Sequence, residues 1–346
     1  MPDASTRRGP TDPAPPESPG AAPMFDRRAW RLHRERAARL GCAEFLHAEV
    51  AARLTERLDD VGRRFGVVLD LGSHAGGLSR LLASRQGTER VVAAEPAPAL
   101  LARALGWRVA ADPELPPFAD HSFDLAVSAL ALHWVGDLPG ALVQLRRALK
   151  PDGLLLAAML GGATLVELRT ALIEAELAEE GGASPRVSPT ADLADAAALL
   201  QRAGFAMPIA DLDRITVTYP DLWALLRDLR HMGETNALSA RRRTGLRRAT
   251  LARAGMIYAE RFALPDGRIP ATFEILYLTG WAPAAGQPRP LRPGSATHRL
   301  ADALGTTEIP AGDPAAPGRQ GQFPHNRETT GKFAAANPNH TTKSIR

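Results

Sequence analysis

The run Asp70-Leu71-Gly72-Ser73-His74-Ala75-Gly76-Gly77 carries the strongest chemical signal in the sequence. It joins an apolar pentapeptide, Val67–Leu71, to a segment with leucines at 78, 81 and 82. A glycine-rich turn from strand into helix lets backbone approach a ligand closely, and the free N–H groups of the helix start point toward it. Glu95 ends the next apolar run, where an acid in a doubly wound sheet hydrogen-bonds ribose hydroxyls. Asp112 ends a third run and is followed by Pro113-Glu114-Leu115-Pro116. Strand ends placed side by side in this way form the switch point at which such folds bind nucleoside ligands. The turn is not G-x-G-x-x-G, so a nicotinamide dinucleotide fits it less well.

Residues that could act on a substrate are fewer. His133 and Trp134 follow the fourth expected strand, where they would position a substrate, take a proton or close the pocket floor. Gly161, Gly162, Thr164, Glu167 and Arg169 form a second group at the end of the fifth strand. A carboxylate is the natural bidentate partner of a guanidinium, so Glu167, with Arg169, would guide an arginine-bearing peptide. A solvated charge pair at a helix start is the plainer reading. Glu179, Glu180, Glu234 and Asn236 would face the same opening. A non-haem iron site would need two histidines and a carboxylate. His133 with Asp137 is the only nearby pairing, so no metal is expected. Arg241-Arg242-Arg243 with Arg247-Arg248 reads as a solvated helix face, or else as a contact for acidic lipid or RNA. Cys42 reads as a small boundary residue rather than a nucleophile.

Placing these groups requires an alternation of strands and helices. Phe25–Leu58 is helical in spacing, without an internal proline. Strands are expected at Val67–Leu71, Val91–Ala94, Arg108–Ala111, Phe123–Ser128 and Leu154–Met159, with helices near Leu78, at Pro98–Leu105 and at Leu138–Leu149. Short-spaced alternation of this kind signals a parallel sheet covered on both faces. Beyond Gly162 the pattern becomes helix at Thr164–Glu180 and Thr190–Arg202, then an extended Phe205–Val217. Helices at Tyr219–Arg230 and Leu238–Glu260 precede a strand at Ala271–Trp281. The expected fold is α/β: a doubly wound, seven-stranded, mostly parallel sheet with an N-terminal helical segment and helical insertions in the C-terminal half.

Composition bounds the rest. The chain has 346 residues and a net charge of +4, without the strongly basic balance of a dedicated nucleic-acid binder. Of its 29 prolines, 7 fall in residues 1–23 and 9 in 283–346, and those two tails are expected to be largely disordered. Residues 24–282 would form one domain, its cofactor half at 60–160 and its substrate half at 161–282. Met24 is a possible start of translation. Arginine stands in for lysine almost throughout. One cysteine excludes an internal disulfide, and neither a transmembrane run nor a secretory leader is expected. A cytoplasmic bacterial protein is expected, with at most peripheral membrane contact.

The motifs DLGSHAG, FDLAVS and LKPDG, with the acidic strand ends, resemble class I methyltransferases that bind S-adenosylmethionine. That resemblance implies that Gly72, Ser73, His74 and Gly76 cradle the methionine moiety and that Asp70 meets its amino group, directly or through water. It puts Glu95 on the ribose and Asp112 with Glu114 or Leu115 at the adenine edge, and counts Ser128 with the same crevice. His74 departs from the pattern, standing where a glycine is usual, and would crowd the ligand or force a different turn. MFDRRAW, SALALHWVGDLPGAL, LGGATLVELR, MGETN and ATFEILYLTGW resemble the branch of the complex I assembly factors described as protein arginine hydroxylases. This implies modification of a protein arginine in the peripheral arm. The malonyl-carrier-protein methyltransferases share the cofactor half and the HWV segment, which leaves O-methylation as an alternative. A non-catalytic assembly chaperone is another.

Overall fold

A computed structural model describes residues 23–288, 299–307 and 344–345. Most of the two tails expected to be disordered lies outside the described residues. The chain divides into two units, one reaching Ala284 and including the final strand, the other spanning Ala285–Thr341. The site lies within the first.

Two helices, α1 (Arg27–Leu40) and α2 (Phe45–Asp59), precede β1 (Val67–Leu71), α3 (Gly77–Ala83), β2 (Arg90–Ala94), α4 (Pro98–Leu101) and β3 (Trp107–Val109). Next come β4 (Phe123–Ala129), a 3-10 turn at Leu132–Trp134, α5 (Leu138–Ala148) and β5 (Leu149–Leu160). The second half holds α6 (Val166–Glu180), α7 (Leu193–Arg202), β6 (Ala206–Tyr219), α8 (Leu222–Met232), α9 (Arg248–Phe262) and β7 (Ile269–Trp281). A five-residue α10 (Leu300–Leu304) and a two-residue β8 (Ser344–Ile345) follow. The helix starts follow local chemistry. Asp26, Asp137, Asp192 and Asp221 each accept a hydrogen bond from a first-turn N–H, which satisfies a donor that has no partner within the helix.

The sheet runs β3-β2-β1-β4-β5-β7-β6, with β8 added in parallel beside β6. The first five strands pair in parallel, and β7 enters antiparallel between β5 and β6. The seven expected strands are all present, and their chain order reverses between β1 and β4, where the crevice must lie. Side chains alternate across the pleat. Val68, Leu125, Val127, Phe273, Ile275 and Tyr277 pack toward α2, α3, α6, α8 and α9. Leu69, Leu71, Leu155, Ala157, Leu276 and Leu278 pack toward α5 and α7. Asp70 shares the face of Val68, so its carboxylate points at α2 and α3 rather than at α5.

Four sequence expectations are corrected. The N-terminal helical run breaks at Gly41, whose φ of 84° ends α1. The third strand starts and ends earlier, at Trp107–Val109. The fourth-turn helix beginning at Pro98 stops at Leu101. Residues 238–247 are not helical, and α9 starts only at Arg248. Ion pairs explain that last difference: Arg241 bonds to Asp26 at 2.8 Å, Arg242 to Glu180, and Arg243 lies 3.7 Å from Asp26. The arginine run therefore ties the chain entry and the end of α6 together, and is not a solvated helix face.

Phe273 is 1% exposed at the centre of the helix-rich face. Truncation to alanine there leaves a cavity that the sheet cannot collapse into, so Phe273→Ala is expected to lower unfolding free energy by about 3–5 kcal/mol. Urea denaturation followed by circular dichroism measures it; a loss below about 1 kcal/mol would show that the face is loosely packed.

Candidate active site and its cofactor crevice

The glycine turn is built for close approach. Gly72 has φ 73° and Gly76 has φ 77°. A Cβ on Gly72 would stand 2.1 Å from the Ala131 Cβ, and one on Gly76 would stand 2.5 Å from the Ala104 Cα. No side chain fits at either position. The turn is anchored to β2 by Gly72 N–H and Ser73 N–H, both donating to the Ala94 carbonyl.

At the end of β1, Asp70 is fully buried and accepts from Ser79 Oγ at 2.5 Å through Oδ2, while Oδ1 has no partner. Burial pushes its carboxyl up to about 7, against the pull of the Ser79 hydrogen bond. Ser73 Oγ is also buried without a partner. Two unsatisfied oxygens beside a turn cleared of side chains suit the amino-acid end of S-adenosylmethionine. Ser128, by contrast, donates its hydroxyl to the Leu71 carbonyl at 2.8 Å and serves the β1–β4 contact.

His74 keeps a positive φ of 50° and is buried. Its ring stacks on His47 at 4.1 Å with an interplanar angle of 12°, and its Nε2 lies 3.2 Å from the Met232 carbonyl. A carbonyl only accepts, so Nε2 carries the proton. Burial lowers both imidazoles, His47 to about 4 and His74 well below the ordinary range, so the stack is neutral. The turn accommodates a side chain at this position by directing it away from Gly72 and into α2 and α8.

Glu95 is the main correction. It is 0% exposed, and each of its oxygens already has two donors. Arg34 of α1 supplies Nε to Oε1 at 2.9 Å and Nη2 to Oε2 at 2.7 Å. Ala97 N–H and His74 N–H add one bond each, both at 3.1 Å. Asp112 is engaged by the same helix: Arg27 Nε donates to it at 2.9 Å, and Nη2 makes a second bond. Arg27 and Arg34 are two helical turns apart, with the Trp30 ring between them at 4.2 and 5.2 Å. The residues therefore fit the methionine end of the cofactor. While α1 is seated, Glu95 has no acceptor position left for its ribose. Leu115, expected at the adenine edge, is an exposed side chain. An open cleft of about 440 Å³ near that edge is lined instead by Arg27, Arg28, Arg31, Pro96, Ala111 and Asp112.

A second cavity, of about 380 Å³, lies on the α6 side. Eight leucines, among them Leu160, Leu165, Leu168, Leu172, Leu226 and Leu229, line it, and its polar lining includes His133, Trp134 and Glu234 together with Arg186, Thr190 and Asn236. Glu234 Oε2 accepts from Trp134 Nε1 at 2.9 Å and faces His133 Nε2 at 3.2 Å. Burial would raise this carboxyl, but His133 first and Arg34 after it hold it below the usual range. Glu234 Oε1 and His133 Nδ1 are left unpartnered. Trp134 is wedged from behind by Phe25 and Trp30. The structure thus pairs His133 with Glu234 and not with Asp137, which caps α5. Only the presence of Glu234 among the acids of the second half hinted at this.

Glu167 and Arg169 do not enter the cavity. Glu167 accepts from the backbone N–H of Thr272 at 3.2 Å and from its hydroxyl, which pins α6 to β7. Arg169 reaches the Gly162 and Thr164 carbonyls, each at 3.4 Å, and holds the loop after β5. Gly161 packs against Glu274, where a Cβ would meet Oε1 at 2.9 Å. Among the described residues, no group of three His, Cys, Asp or Glu side chains is placed to hold a metal ion. None of the described helices is long and apolar enough to cross a membrane.

A family profile described as a methyltransferase domain matches residues 69–157, which contain the glycine turn, Glu95, Asp112 and β4. The human protein "Arginine-hydroxylase NDUFAF5, mitochondrial" is 40% identical over 288 residues, covering 81% of this chain and 83% of the relative. Its zebrafish (Danio rerio) counterpart is 39% identical, covering 81% and 89%. The chain belongs to the NDUFAF5 family of methyltransferase-domain proteins. It is also similar to the malonyl-[acyl-carrier protein] O-methyltransferase of Halorhodospira halophila, at 38% identity over 76% of this chain and 90% of that one. A solved structure of phosphoethanolamine N-methyltransferase 2 from Haemonchus contortus, in complex with S-adenosyl-L-methionine, matches at TM-score 0.42 and 16% identity, covering 67% and 53%. The domain that this chain shares with them is a methyltransferase domain, and the relatives are named as hydroxylases or as methyltransferases.

Two outcomes follow from the burial of these acids. Glu95→Gln leaves the Arg34 charge buried without its counter-ion and is expected to lower stability by about 3–5 kcal/mol in chemical denaturation; a loss under about 1 kcal/mol would show that the pair is solvated. Asp70 binds a proton more tightly folded than unfolded, so its contribution to stability is fully present below pH 4 and is lost as pH rises to about 7. The stability advantage of Asp70→Asn over the wild type should therefore grow between those limits and level off above them, as read from urea midpoints across pH. A pH-independent difference would sink the assignment.

Proposed function

We propose that the protein modifies an arginine side chain of a protein during assembly of respiratory complex I (NADH:quinone oxidoreductase), acting in the cytoplasm with S-adenosylmethionine. The observation that carries this reading is the extent of the likeness to the NDUFAF5 arginine-hydroxylases. At 81% of the chain it is far longer than the 69–157 domain and must include the helices that wall the second cavity. A methyltransferase domain alone would suit many substrates.

Within this reading the division of labour is local. Asp70 and Ser73 would hold the cofactor's amino-acid end with their unpartnered oxygens, and the Gly72 and Gly76 backbone would lie against it. Bound S-adenosylmethionine supplies an electrophilic methyl group. The leucine walls of the second cavity keep water from a side chain entering it, and the His133–Glu234–Trp134 group orients that side chain. The partner would be a subunit of the peripheral arm, met at the protein surface and without any nucleic acid.

O-methylation of a malonyl thioester is a second reading, favoured by the 38% identity to the Halorhodospira halophila enzyme. An assembly chaperone that keeps the fold without turnover is a third, favoured by the closure of Glu95 under Arg34. Mass spectrometry of complex I purified from a deletion strain separates them. The proposed role requires that an arginine of a peripheral-arm subunit lose its modification. An unchanged subunit with biotin auxotrophy would move the assignment to the carrier-protein reaction.

A further inference from the structure

Glu234 is the most telling side chain outside the cofactor crevice. Its side chain is 9% exposed, lies in a cavity lined by eight leucines, and keeps one oxygen without any hydrogen-bond partner. A buried carboxylate with an empty acceptor position is costly unless a donor arrives to complete it. Arg34, which acts on Glu234 electrostatically, is bound to Glu95 through Nε and Nη2, and its buried Nη1 has no partner. Arg186, on the loop beside the cavity, is bound to Glu176 through Nε at 2.9 Å and Nη2 at 2.5 Å. Arg230 lines the cavity as an exposed side chain. Among the described residues, the two arginines that line the cavity are thus paired with an acid or exposed, whereas a buried acceptor for a cation is in place.

We propose that Glu234 is the specificity residue of the substrate cavity: its free Oε1 receives the guanidinium of an arginine side chain whose methylene stem lies along Leu160, Leu165, Leu168, Leu172, Leu226 and Leu229. This rests on the reading of an arginine substrate and adds the residue that recognises it. Trp134 Nε1 and His133 Nε2 hold Oε2, so the carboxylate is oriented before the ligand enters and Oε1 is the oxygen presented. The plane of a guanidinium suits such a carboxylate better than the point charge of a lysine ammonium. The unpartnered Thr190 Oγ1 on the same cavity wall offers a further acceptor for a guanidinium N–H.

The test is titration calorimetry of the full-length protein with Nα-acetyl-arginine amide, and with Nα-acetyl-citrulline amide as its neutral isostere. The wild type should prefer arginine over citrulline by about tenfold or more, the range of a charge-assisted hydrogen bond. Glu234→Gln still offers an oxygen to Trp134 and His133 but removes the charge, and should abolish that preference. Glu234→Asp keeps the charge with a shorter reach and should retain a reduced preference, which a purely structural role would not produce. An arginine preference that survives Glu234→Gln in a folded variant, or a wild type that binds monomethyl malonate and ignores arginine, would overturn the proposal. If Glu234→Gln fails to fold, the Glu234→Asp ratio decides, an unreduced preference counting against it. Failure of the functional reading looks different: arginine binds through Glu234, yet complex I from the deletion strain is unaltered.

Discussion

The arrangement of the N-terminal half depends on one buried ion pair. Arg34 and Glu95 are both withdrawn from water, which is tolerable only because Glu95 accepts four hydrogen bonds. Those four bonds join three elements: the helix α1, the backbone of the glycine turn at His74, and the start of α4 at Ala97. Once α1 is held there, Trp30 is buried, Arg27 falls on Asp112, and Trp134 has a wall to lean on. The substrate group therefore inherits its position from a contact made in the cofactor crevice. Trp134 in turn orients Glu234.

This coupling gives the two cavities different characters. The crevice at the strand ends is dominated by arginine–carboxylate pairs and by a neutral histidine stack, with unsatisfied oxygens confined to Asp70 and Ser73. The second cavity has eight leucines in its walls among polar side chains, and within it a carboxylate, an imidazole and an indole share hydrogen bonds. Apolar walls with a few converging polar groups are the usual composition of a small-molecule or side-chain site. The strip between Gly161 and Arg169, which looked like chemistry, instead locks β5 and α6 onto β7 through Glu274, Thr164 and Glu167. Several acids of the second half are structural for the same reason. Glu176 and Glu180 hold Arg186 and Arg242, which secures the loop and the irregular segment beside the cavity.

Much of the fold was legible because its signals are short in range. Period-two alternation in Phe273–Leu278 sorted the side chains onto the two faces that they occupy. The break at Gly41 and the irregular 238–247 segment were harder to read. A helix-compatible composition persists through both, and what overrides it is a glycine conformation in one case and ion pairs to Asp26 and Glu180 in the other.

Along the chain, residue type and spacing determined the glycine turn, the acids at the strand ends and the parallel sheet, since each depends on neighbours within a few residues. They also singled out His133 and Trp134. Which acid is free and which is occupied was decided only in three dimensions. Arg34 meets Glu95 across 61 positions, and His133 meets Glu234 across 101. A carboxylate's availability is set by the donors that surround it in space and by the water it has lost. Neither quantity is a property of the local sequence, so Glu95 reads as open and is closed, while Glu234 reads as ordinary and holds the unfilled acceptor.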